Sequence, residues 1–391
     1  MAMKKFDAVV HGAGMIGQAC ALGLSQLGYN VALIDTQSEP SFDPNSSCSI
    51  RVTALNLSSE RLLDQLGAWS WIKQQRGCQY KELEACETES NPVRFHAQDI
   101  GIPYLGHFLE NDIIQTGLYR MIQASQNIHL YFETTITAID WQPTNTTITL
   151  ANGDVLEAEW VVGADGINSK VRHLADIGVT GWDYDQHACV ISIRSETQQP
   201  AMTWQRFTPT GPQAYLPLYE RYASLVWYHS PDEVKRLKSL PHAKLQQEIY
   251  ENFPKRLDKF TIEQVASFPL SRRHAQSYCA PQCVLVGDAA HSIHPLAGQG
   301  ANLGFQDVKA LLDCLKKYKD KPFDKRFHLA CREYEKSRYR HNLLMMTVID
   351  GFQVGFQSSF PMLKYMRHAG MFCAQHSGPL KKQVLKYALG L

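Results

Sequence analysis

The sequence has almost no net charge and no long uninterrupted apolar run. Lysine and arginine together number 39 against 38 aspartate and glutamate, a formal net charge of +1. This balance argues against nucleic acid as a partner, because its phosphates are bound by an excess of basic side chains. No apolar segment approaches the roughly 20 residues of a membrane-spanning helix, and the chain enters a strand-like run at once. We therefore expect a cytoplasmic protein without a cleavable signal.

Paired cysteines, internal repeats and low-complexity linkers are also missing. The ten cysteines include no C-x-x-C pair and no cysteine–histidine spacing typical of zinc, so we expect reduced thiols and no metal. At 391 residues, of which 44% are hydrophobic, the chain exceeds the size at which a single core usually stops growing. Two lobes are therefore expected.

The sequence does contain three glycine-bearing stretches, 9–17, 161–172 and 284–304. The first, VVHGAGMIG, ends a short apolar run typical of a buried parallel strand and fits G-x-G-x-x-G. In this motif the glycines permit a tight turn, a close approach of the backbone to a pyrophosphate, and close packing of helix on strand. The helix predicted over 15–27 would offer its N-terminal N–H groups to phosphate.

Two aspartates follow predicted strands. Asp35 ends the second strand about 20 residues past the glycines, where its carboxylate can accept hydrogen bonds from ribose hydroxyls. That motif alone does not distinguish NAD from FAD. The third stretch favours FAD: the apolar run Val284–Val286 leads to Asp288, which can accept hydrogen bonds from a ribityl chain. A glycine loop then opens a helix near Asn302, whose dipole favours negative charge on a reduced flavin.

These stretches resemble a known family. The middle one contains DGINSKVR (165–172), and the third contains HPLAGQGANLGFQDV (294–308). Both resemble the flavin-dependent aromatic hydroxylases of the p-hydroxybenzoate hydroxylase type, and the second narrows the resemblance to the branch that hydroxylates the ring of ubiquinone precursors. The resemblance covers essentially the whole chain. Within this branch the sequence is most similar to the members acting on 2-polyprenyl-3-methyl-6-methoxy-1,4-benzoquinol.

The resemblance implies which residues contact FAD. The first glycine loop would line the pyrophosphate, Asp35 the adenosine ribose, and the backbone of Ile136 the adenine. Pro295 and the loop 298–302 would stabilise the charge of the reduced flavin. The full set of expected cofactor contacts is Gly12, Gly14, Met15, Ile16, Gly17, Asp35, Arg51, Gln115, Ile136, Asp165, Gly287, Asp288, Pro295, Gly298, Gln299, Gly300, Ala301 and Asn302.

Several polar residues near these motifs have alternative interpretations. Ser49 replaces the acid that many relatives carry two residues before Arg51, which weakens the case for an Arg–carboxylate pair but not for the reach of Arg51 itself. Gln115 matches a cofactor contact, yet its pattern is also typical of a polar helix surface. His291 and His294 lie close to the loop, but a structural role explains each at least as well. We assign no general base.

The predicted fold class is α/β. It combines a Rossmann-like FAD-binding domain on a parallel sheet, an antiparallel-sheet substrate domain and a helical C-terminal cap. The substrate domain is expected to be antiparallel because β-branched and aromatic runs separated by turns dominate the middle of the chain. The expected boundaries are 1–76, 111–172 and 276–324 for the FAD-binding domain, 77–110 and 173–275 for the substrate-binding domain, and 325–391 for the helical region.

The resemblance implies an FAD-dependent monooxygenase that uses O2 to hydroxylate the ring of a polyprenylated benzoquinol in ubiquinone biosynthesis, through a flavin C4a-hydroperoxide. No second nucleotide-binding βαβ unit is apparent, so NAD(P)H or another electron donor would bind transiently. The substrate pocket is expected between the flavin and the antiparallel sheet. Aromatic residues on strands are typical of pocket lining and also of plain core; the candidates are Trp204, Phe207, Tyr215, Pro217 and Trp227.

The last segment, 380–391, has an apolar stripe and a separate cluster of lysines. Such a basic amphipathic helix can lie on an anionic membrane or dock on the protein body. The protein could associate peripherally with the inner membrane, bind other ubiquinone-biosynthesis proteins, or form a homo-oligomer; all three alternatives stay open. Two further functions stay open: hydroxylation of another precursor position or of a soluble aromatic acid, and a non-catalytic flavin-binding scaffold, against which the intact loop 295–302 argues.

Overall fold

The computed structural model describes residues 4–142, 145–294, 298–358 and 360–391. The strands in this part of the chain are β1 (Lys4–His11), β2 (Val31–Ile34), β3 (Val52–Asn56), β4 (Cys78–Tyr80), β5 (Glu82–Cys86), β6 (Val93–His96), β7 (Gly106–Glu110), β8 (Ile128–Tyr131), β9 (Ile136–Trp141), β10 (Thr146–Leu150), β11 (Val155–Gly163), β12 (Val179–Ser195), β13 (Met202–Arg206), β14 (Gln213–Pro217), β15 (Tyr222–His229), β16 (Phe260–Ala275), β17 (Cys279–Ala280), β18 (Cys283–Leu285) and β19 (His291–Ser292).

The helices in the same ranges are α1 (Met15–Gln26), α2 (Leu57–Gln65), α3 (Trp69–Ile72), α4 (Asn111–Gln123), α5 (Lys170–Leu174), α6 (Pro231–Ser239), α7 (His242–Asn252), α8 (Gly300–Lys317), α9 (Phe323–Gln357), α10 (Pro361–His376) and α11 (Pro379–Ala388). Short 3-10 turns cover Ala97–Ile100 and Gly287–Ala289. Within the described ranges, every helix is too short or too polar to cross a bilayer.

The first sheet is mostly parallel and carries the largest core. Its strands run in the order β17-β18-β11-β1-β2-β8, with β9 and β10 attached to β11 as an antiparallel extension. The apolar runs Ala8–Val10 and Val31–Ile34 are fully buried, as expected of parallel strands covered on both faces. Because β1, β11 and β18 are parallel neighbours, their carboxyl ends meet at one edge, and that edge positions the site.

The second sheet is mostly antiparallel and forms a wall facing the first. Its order is β19-β16-β12-β15-β14-β13-β5-β6, and the long strands β12 and β16 pair along most of their length. One face packs under α6 and α7 around Trp227 and Phe253. A third sheet, β3-β7-β4, connects the two larger ones.

The predicted fold class is confirmed: a parallel sheet, an antiparallel sheet and a helical C-terminal region are all present. The sequence analysis did not identify β16, α6 or α7. The domain boundaries stay a prediction. β19 joins the second sheet although its residues, 291–292, fall in the segment assigned to the FAD-binding domain.

Candidate cofactor site and substrate cavity

The glycine loop after β1 is shaped for close backbone contacts. Gly12 has a φ of +103°, and a Cβ there would collide with the carbonyl oxygen of Ala164 on the neighbouring strand end. A Cβ at Gly17 would collide with the carbonyl oxygen of Gly12. At Gly14 a Cβ would meet no atom within 4 Å. Gly12 and Gly17 therefore let the chain pack on itself, whereas Gly14 faces open space in front of α1.

Asp35 holds this loop. One carboxylate oxygen accepts a hydrogen bond from the backbone N–H of Ala13, and the other accepts one from the N–H of Gln37 at 2.7 Å. The carboxylate thus lies at the end of β2, beside the first turn of the glycine loop. Contact of Asp35 with a ribose stays a prediction.

Asp165 uses its carboxylate within the protein. It accepts hydrogen bonds from Ser169 Oγ at 2.5 Å and from the backbone N–H groups of Lys170 and Val171 at 2.6 and 3.2 Å, while His11 Nδ1 lies 3.0 Å away. Burial alone would raise the pKa of Asp165, but the contacts with His11 and Ser169 hold it below its usual range. The carboxylate therefore caps α5 and ties it to β1, which leaves the backbone of this turn to face a ligand.

Two further expected cofactor contacts, Ile136 and Gln115, lie on β9 and α4. Ile136 opens β9 and is fully buried. It follows Thr135, whose hydroxyl is 3.1 Å from Nε2 of His11. Gln115 is half-buried on α4, one turn after Asn111, and Asn111 lines the main cavity. The contacts of both residues with FAD stay predictions.

The turn after β18 is joined to both flanking helices. Gly287 has a φ of +61°, and a Cβ there would lie 3.1 Å from Cγ2 of Ile16. A Cβ at Gly304 would lie 2.8 Å from Cδ1 of the same isoleucine. Ile16 of α1 therefore packs between this turn and α8. The tips of β1 and β18 and the N-terminal ends of α1 and α8 converge as the sequence predicted.

Asp288 differs from the other aspartates of the site. Solvent reaches its side chain through the cleft, yet the protein surrounds it, and this burial raises the pKa of its carboxyl, an effect opposed by nearby His291. Within the described ranges no side chain or backbone N–H donates a hydrogen bond to it. An exposed carboxylate in the cleft without a protein donor has its lone pairs available to ligand hydroxyls.

The loop before α8 is held by a buried asparagine. The Asn302 side chain donates to the carbonyl oxygens of Ala54 and Gly298 at 2.7 and 3.3 Å. It accepts from the N–H of Asn56 at 3.0 Å and the hydroxyl of Ser59 at 2.8 Å. Its amide is thus fully used in joining α8 to β3 and α2, so any contact of Asn302 with the cofactor would come from its backbone.

The rest of that loop lies at the mouth of the cavity. Gly298 has a φ of +63°, and a Cβ there would approach Cβ of Ala54 to 3.3 Å, whereas Gly300 faces open space. Gly298, Gly300 and Ala301 line the cavity, and Gln299 caps α8. Pro295, also predicted to contact the flavin, lies outside the described residues.

Arg51 reaches the cavity without a carboxylate partner. Within the described ranges it forms no ion pair, and its guanidinium lies 5.7 Å from the ring centre of Phe268. Glu110 contacts Ser49, the residue that replaces the acid of many relatives. The Glu110 carboxylate accepts a hydrogen bond from the N–H of Ser49 at 2.6 Å and pairs with Arg76 at 2.7 Å. Sequence reasoning missed this Glu110–Arg76 pair, since 34 residues separate its members and no motif connects them.

A cavity of about 590 Å³ lies between this loop and the second sheet. Its wall on the sheet side is formed mainly by small and apolar side chains. The lining residues on β12–β16 are Ala188, Val190, Thr203, Trp204, Gln205, Ala214, Leu216, Ser224, Val226, Phe268, Pro269 and Leu270, with Tyr228 and, after β13, Phe207. This is the location predicted for the substrate pocket.

The identity of the lining departs from expectation. Trp204 and Phe207 line the cavity, but Tyr215, Pro217 and Trp227 do not. The reason is the two-residue period of strands: Ala214 and Leu216 face the cavity, so their neighbours on β14 face the opposite side. Tyr215 and Trp227 belong to the core under α6 and α7. The largest aromatic side chains of the sheet are thus mainly core.

The two histidines near the loop have different surroundings. Nε2 of His291 lies 2.5 Å from Asp307, which also binds Arg338 at 2.7 Å and the N–H of Gly287 at 3.1 Å. This buried cluster has a structural role. His294 is buried, and among the described residues neither ring nitrogen has a hydrogen-bond partner; burial lowers its pKa to about 4.

These residues fit FAD. The site offers open space beside Gly14 and Gly300, two helix N-termini for phosphate and for the reduced ring's charge, and Asp288 as an acceptor for ribityl hydroxyls. The glycine loop and Asp35 would hold the pyrophosphate and ribose end, and the loop 298–302 the ring end. The cavity begins where that loop ends.

Comparison with known proteins gives the family. The sequence model described as FAD binding domain matches residues 5–320, so the chain belongs to this FAD-binding family. The 3-demethoxyubiquinol 3-hydroxylase of Escherichia coli (strain K12) is 40% identical over 385 residues, 98% of each chain. The mitochondrial ubiquinone biosynthesis monooxygenase COQ6 of Caenorhabditis elegans is 31% identical over 98% of this chain and 95% of its own.

Solved structures share the fold. The p-nitrophenol 4-monooxygenase PnpA from Pseudomonas putida DLL-E4 has a TM-score of 0.79 at 18% identity, covering 99% of this chain and 97% of its own. PqsL from Pseudomonas aeruginosa in complex with 2-aminobenzoylacetate has a TM-score of 0.76 at 20% identity, covering 94% and 100%. Together with the family and the relatives, this fold defines an FAD-dependent monooxygenase, a hydroxylase.

Proposed function

We propose that the protein hydroxylates the ring of a polyprenylated benzoquinol in ubiquinone biosynthesis. The observation that carries the proposal is the largely apolar cavity of about 590 Å³ that begins at the Gly298–Ala301 loop and ends among the small residues of the second sheet. Such a cavity suits an uncharged ring with an apolar tail. The 40% identity to 3-demethoxyubiquinol 3-hydroxylase over nearly the whole chain supports the same substrate class.

The lining disfavours an aromatic acid as substrate. Among the described residues around the cavity, Arg51 is the one cation, and it lies at the cofactor end. The sheet side offers Thr203, Gln205 and Ser224, which can hydrogen-bond hydroxyl or methoxy oxygens but cannot neutralise a carboxylate. A buried carboxylate without a cation is costly. A quinol needs no such partner.

The protein's part in the reaction is binding, orientation and exclusion of water. Bound reduced FAD would activate O2 and supply one oxygen atom to the ring. The apolar wall keeps bulk water from the reacting centre, and the start of α8 places positive dipole at the end of the cavity where negative charge develops. The polar groups on β13 and β15 orient the ring. We propose that the electron donor, NAD(P)H or another reductant, binds transiently.

We also propose peripheral contact with a membrane, where a prenylated substrate dissolves. The support comes from the C-terminal helices: Met362, Tyr365 and Phe372 on α10 and Leu380 on α11 are strongly exposed. Residues 351–391 contain no aspartate or glutamate but four lysines and one arginine. An apolar surface with basic flanks fits an anionic bilayer.

A comparison of two substrates tests this function. The purified protein is supplied with FAD, NADH or NADPH, O2 and either a short-tailed prenyl benzoquinol or 4-hydroxybenzoate. We expect a product one oxygen atom heavier from the quinol and none from the acid. Product from the acid alone would contradict the proposal. No oxygen uptake with either compound, with or without reductant, would favour a non-catalytic scaffold.

A further inference from the structure

The cavity extends away from the cofactor toward the third sheet. From β3, whose Ala54 contacts the cofactor loop, the lining continues to Phe108 on β7, Tyr80 on β4 and Leu83 on β5. A drug-sized molecule fills a pocket of this size. A quinol that carries more than a few isoprene units exceeds it, so the tail must leave the cavity.

The outer side of this end is formed by α11. Tyr80, Phe108 and Leu83 belong to an apolar cluster that also includes two buried leucines, Leu385 of α11 and Leu389 directly after it. The same aromatic side chains therefore contact the cavity on one side and belong to the α11 cluster on the other. Ala97 and Ile100 of the 3-10 turn belong to the same cluster, and this turn contacts α11.

Few polar contacts hold α11 in place. Nζ of Lys381 lies 3.9 Å from Asp99, the amide of Asn56 donates to the carbonyl oxygen of Ala388 at 3.5 Å, and the hydroxyl of Tyr387 is 3.3 Å from His341. Nζ of Lys381 also donates to the amide oxygen of Gln375 at 3.3 Å. All four distances are long for their type. Segments with few buried contacts open locally at low cost, so α11 can move outward without unfolding the protein.

The neighbouring end of the cavity is closed more firmly. There Phe207 stacks on Phe356 of α9 with ring centres 4.1 Å apart. Arg367 pairs with Glu87 at 2.7 Å and donates to the carbonyl oxygens of Gly355 and Ser358. This mostly buried ion pair fixes the α9–α10 connection against the second sheet, and it leaves α11 as the more easily displaced wall.

We propose that the isoprenoid tail of the substrate leaves the cavity past Tyr80 and Phe108 and lies against Leu385 and Leu389 on the inner face of α11. The assignment rests on the proposed function, because it requires a prenylated substrate. It also explains why α11 has apolar residues on both faces: the inner leucines bind the tail, and the exposed Leu380 lies where the tail emerges. Val384, also exposed, lies outside this path.

The test compares two quinols on three proteins. The wild-type protein, Leu385→Trp and Val384→Trp are assayed with a prenylated benzoquinol and with the same head group without a tail. Filling the inner face should lower kcat/KM for the prenylated quinol by about tenfold or more, since each displaced apolar group weakens binding. The tail-less quinol should be unaffected in Leu385→Trp, and both quinols in Val384→Trp.

A labelling experiment is independent of the variants. A benzoquinol with a photoreactive diazirine on its tail should label the peptide 379–391 of the wild-type protein. Equal slowing of both quinols by Leu385→Trp, an equal effect of Val384→Trp, or labelling confined to 355–371 would overturn the tail path while leaving the proposed function intact. A wild-type protein that hydroxylates neither quinol would instead overturn the proposed function.

Discussion

At the scale of single residues, the aspartates of the site are distinguished by their donors. Asp35, Asp165 and Asp307 have carboxylates that accept hydrogen bonds from protein N–H, hydroxyl, imidazole or guanidinium groups. Asp288 has no such donor among the described residues, and its side chain is exposed in the cleft. Its lone pairs are therefore available to ligand hydroxyls, so Asp288 is the carboxylate that we expect to contribute most to cofactor binding.

Replacing this carboxylate should therefore weaken FAD binding more than it affects folding. For Asp288→Ala we expect FAD affinity to fall about 10- to 100-fold, the equivalent of ~1.5–3 kcal/mol for hydrogen bonds to a charged group. Equilibrium titration of apoprotein with FAD measures the change. Asp313→Ala, at an exposed carboxylate of α8, is the control, and equal affinity in both variants would contradict this role.

The unpartnered histidine should make stability depend on pH. Burial lowers the pKa of His294 to about 4, while an exposed histidine titrates near 6.5. As the pH falls through this interval the unfolded chain takes up the proton first, so the folded state loses stability between about pH 6.5 and pH 4.

His294→Phe should remove this contribution. The quantity compared is the loss of unfolding free energy between pH 7 and pH 5, measured by urea titration. In His294→Phe we expect this loss to be smaller than in the wild-type protein by up to about 2 kcal/mol. His242→Phe, on an exposed position of α7, should match the wild type. If both variants show the wild-type pH dependence, His294 is protonated in the folded protein.

Local sequence predicted the glycine and aspartate positions because each motif fixes backbone geometry within a few residues. It could not predict which aspartates would find protein donors, since the donors of Asp307 include Arg338, 31 residues away on another helix. It also could not predict that Tyr215 and Trp227 would face the core. Both sides of a sheet covered by protein carry apolar residues, so the pattern does not reveal which side borders a cavity.

At the scale of elements, α8 connects cofactor and cavity. Its N-terminal loop is held on β3 and α2 by Asn302, and its middle is held on α9 through Asp307 and Arg338. Predicted bounds were good where a glycine marked the start, as for α1, which was predicted over 15–27 and runs from Met15 to Gln26. β16 was missed because Phe260–Ala275 mixes charged and apolar residues without regular alternation.

The loop before α8 should be sensitive to a single methyl group. Gly298→Ala places an alanine at a positive φ, which costs about 1–2 kcal/mol, and brings its Cβ within 3.3 Å of Ala54. We expect a displaced loop and a lower ratio of hydroxylated product to O2 consumed. Gly351→Ala on α9, where a Cβ meets no atom within 4 Å, should keep the wild-type ratio. Equal ratios in both variants would remove the loop from the mechanism.

The contact between α8 and α9 should depend on one carboxylate. Asp307→Ala leaves the buried Arg338 guanidinium without its carboxylate partner, which should lower the free energy of unfolding by about 3–5 kcal/mol. Asp313→Ala on the same helix breaks an exposed pair with Lys309 and should cost less than about 1 kcal/mol. Urea unfolding compares the two, and similar losses would show that the buried cluster adds no stability.

At the scale of the whole molecule, two sheets enclose the reaction. The parallel sheet gathers the cofactor-binding turns at one edge because its strands are parallel neighbours, and the antiparallel sheet supplies an apolar wall opposite them. The helical C-terminal region packs beside the cavity, where Phe356 of α9 stacks on the lining residue Phe207. This division into cofactor edge and apolar wall explains why the motifs predicted the chemistry, whereas the pocket required the assembled structure.

The source of the oxygen atom tests this account most directly. The purified protein with FAD, reductant and a prenylated benzoquinol is allowed to react under ¹⁸O2 in unlabelled water, and the product is analysed by mass spectrometry. The account predicts one ¹⁸O atom in the new ring hydroxyl of each product molecule. An unlabelled hydroxyl, or oxygen recovered entirely as hydrogen peroxide with the quinol unchanged, would contradict it.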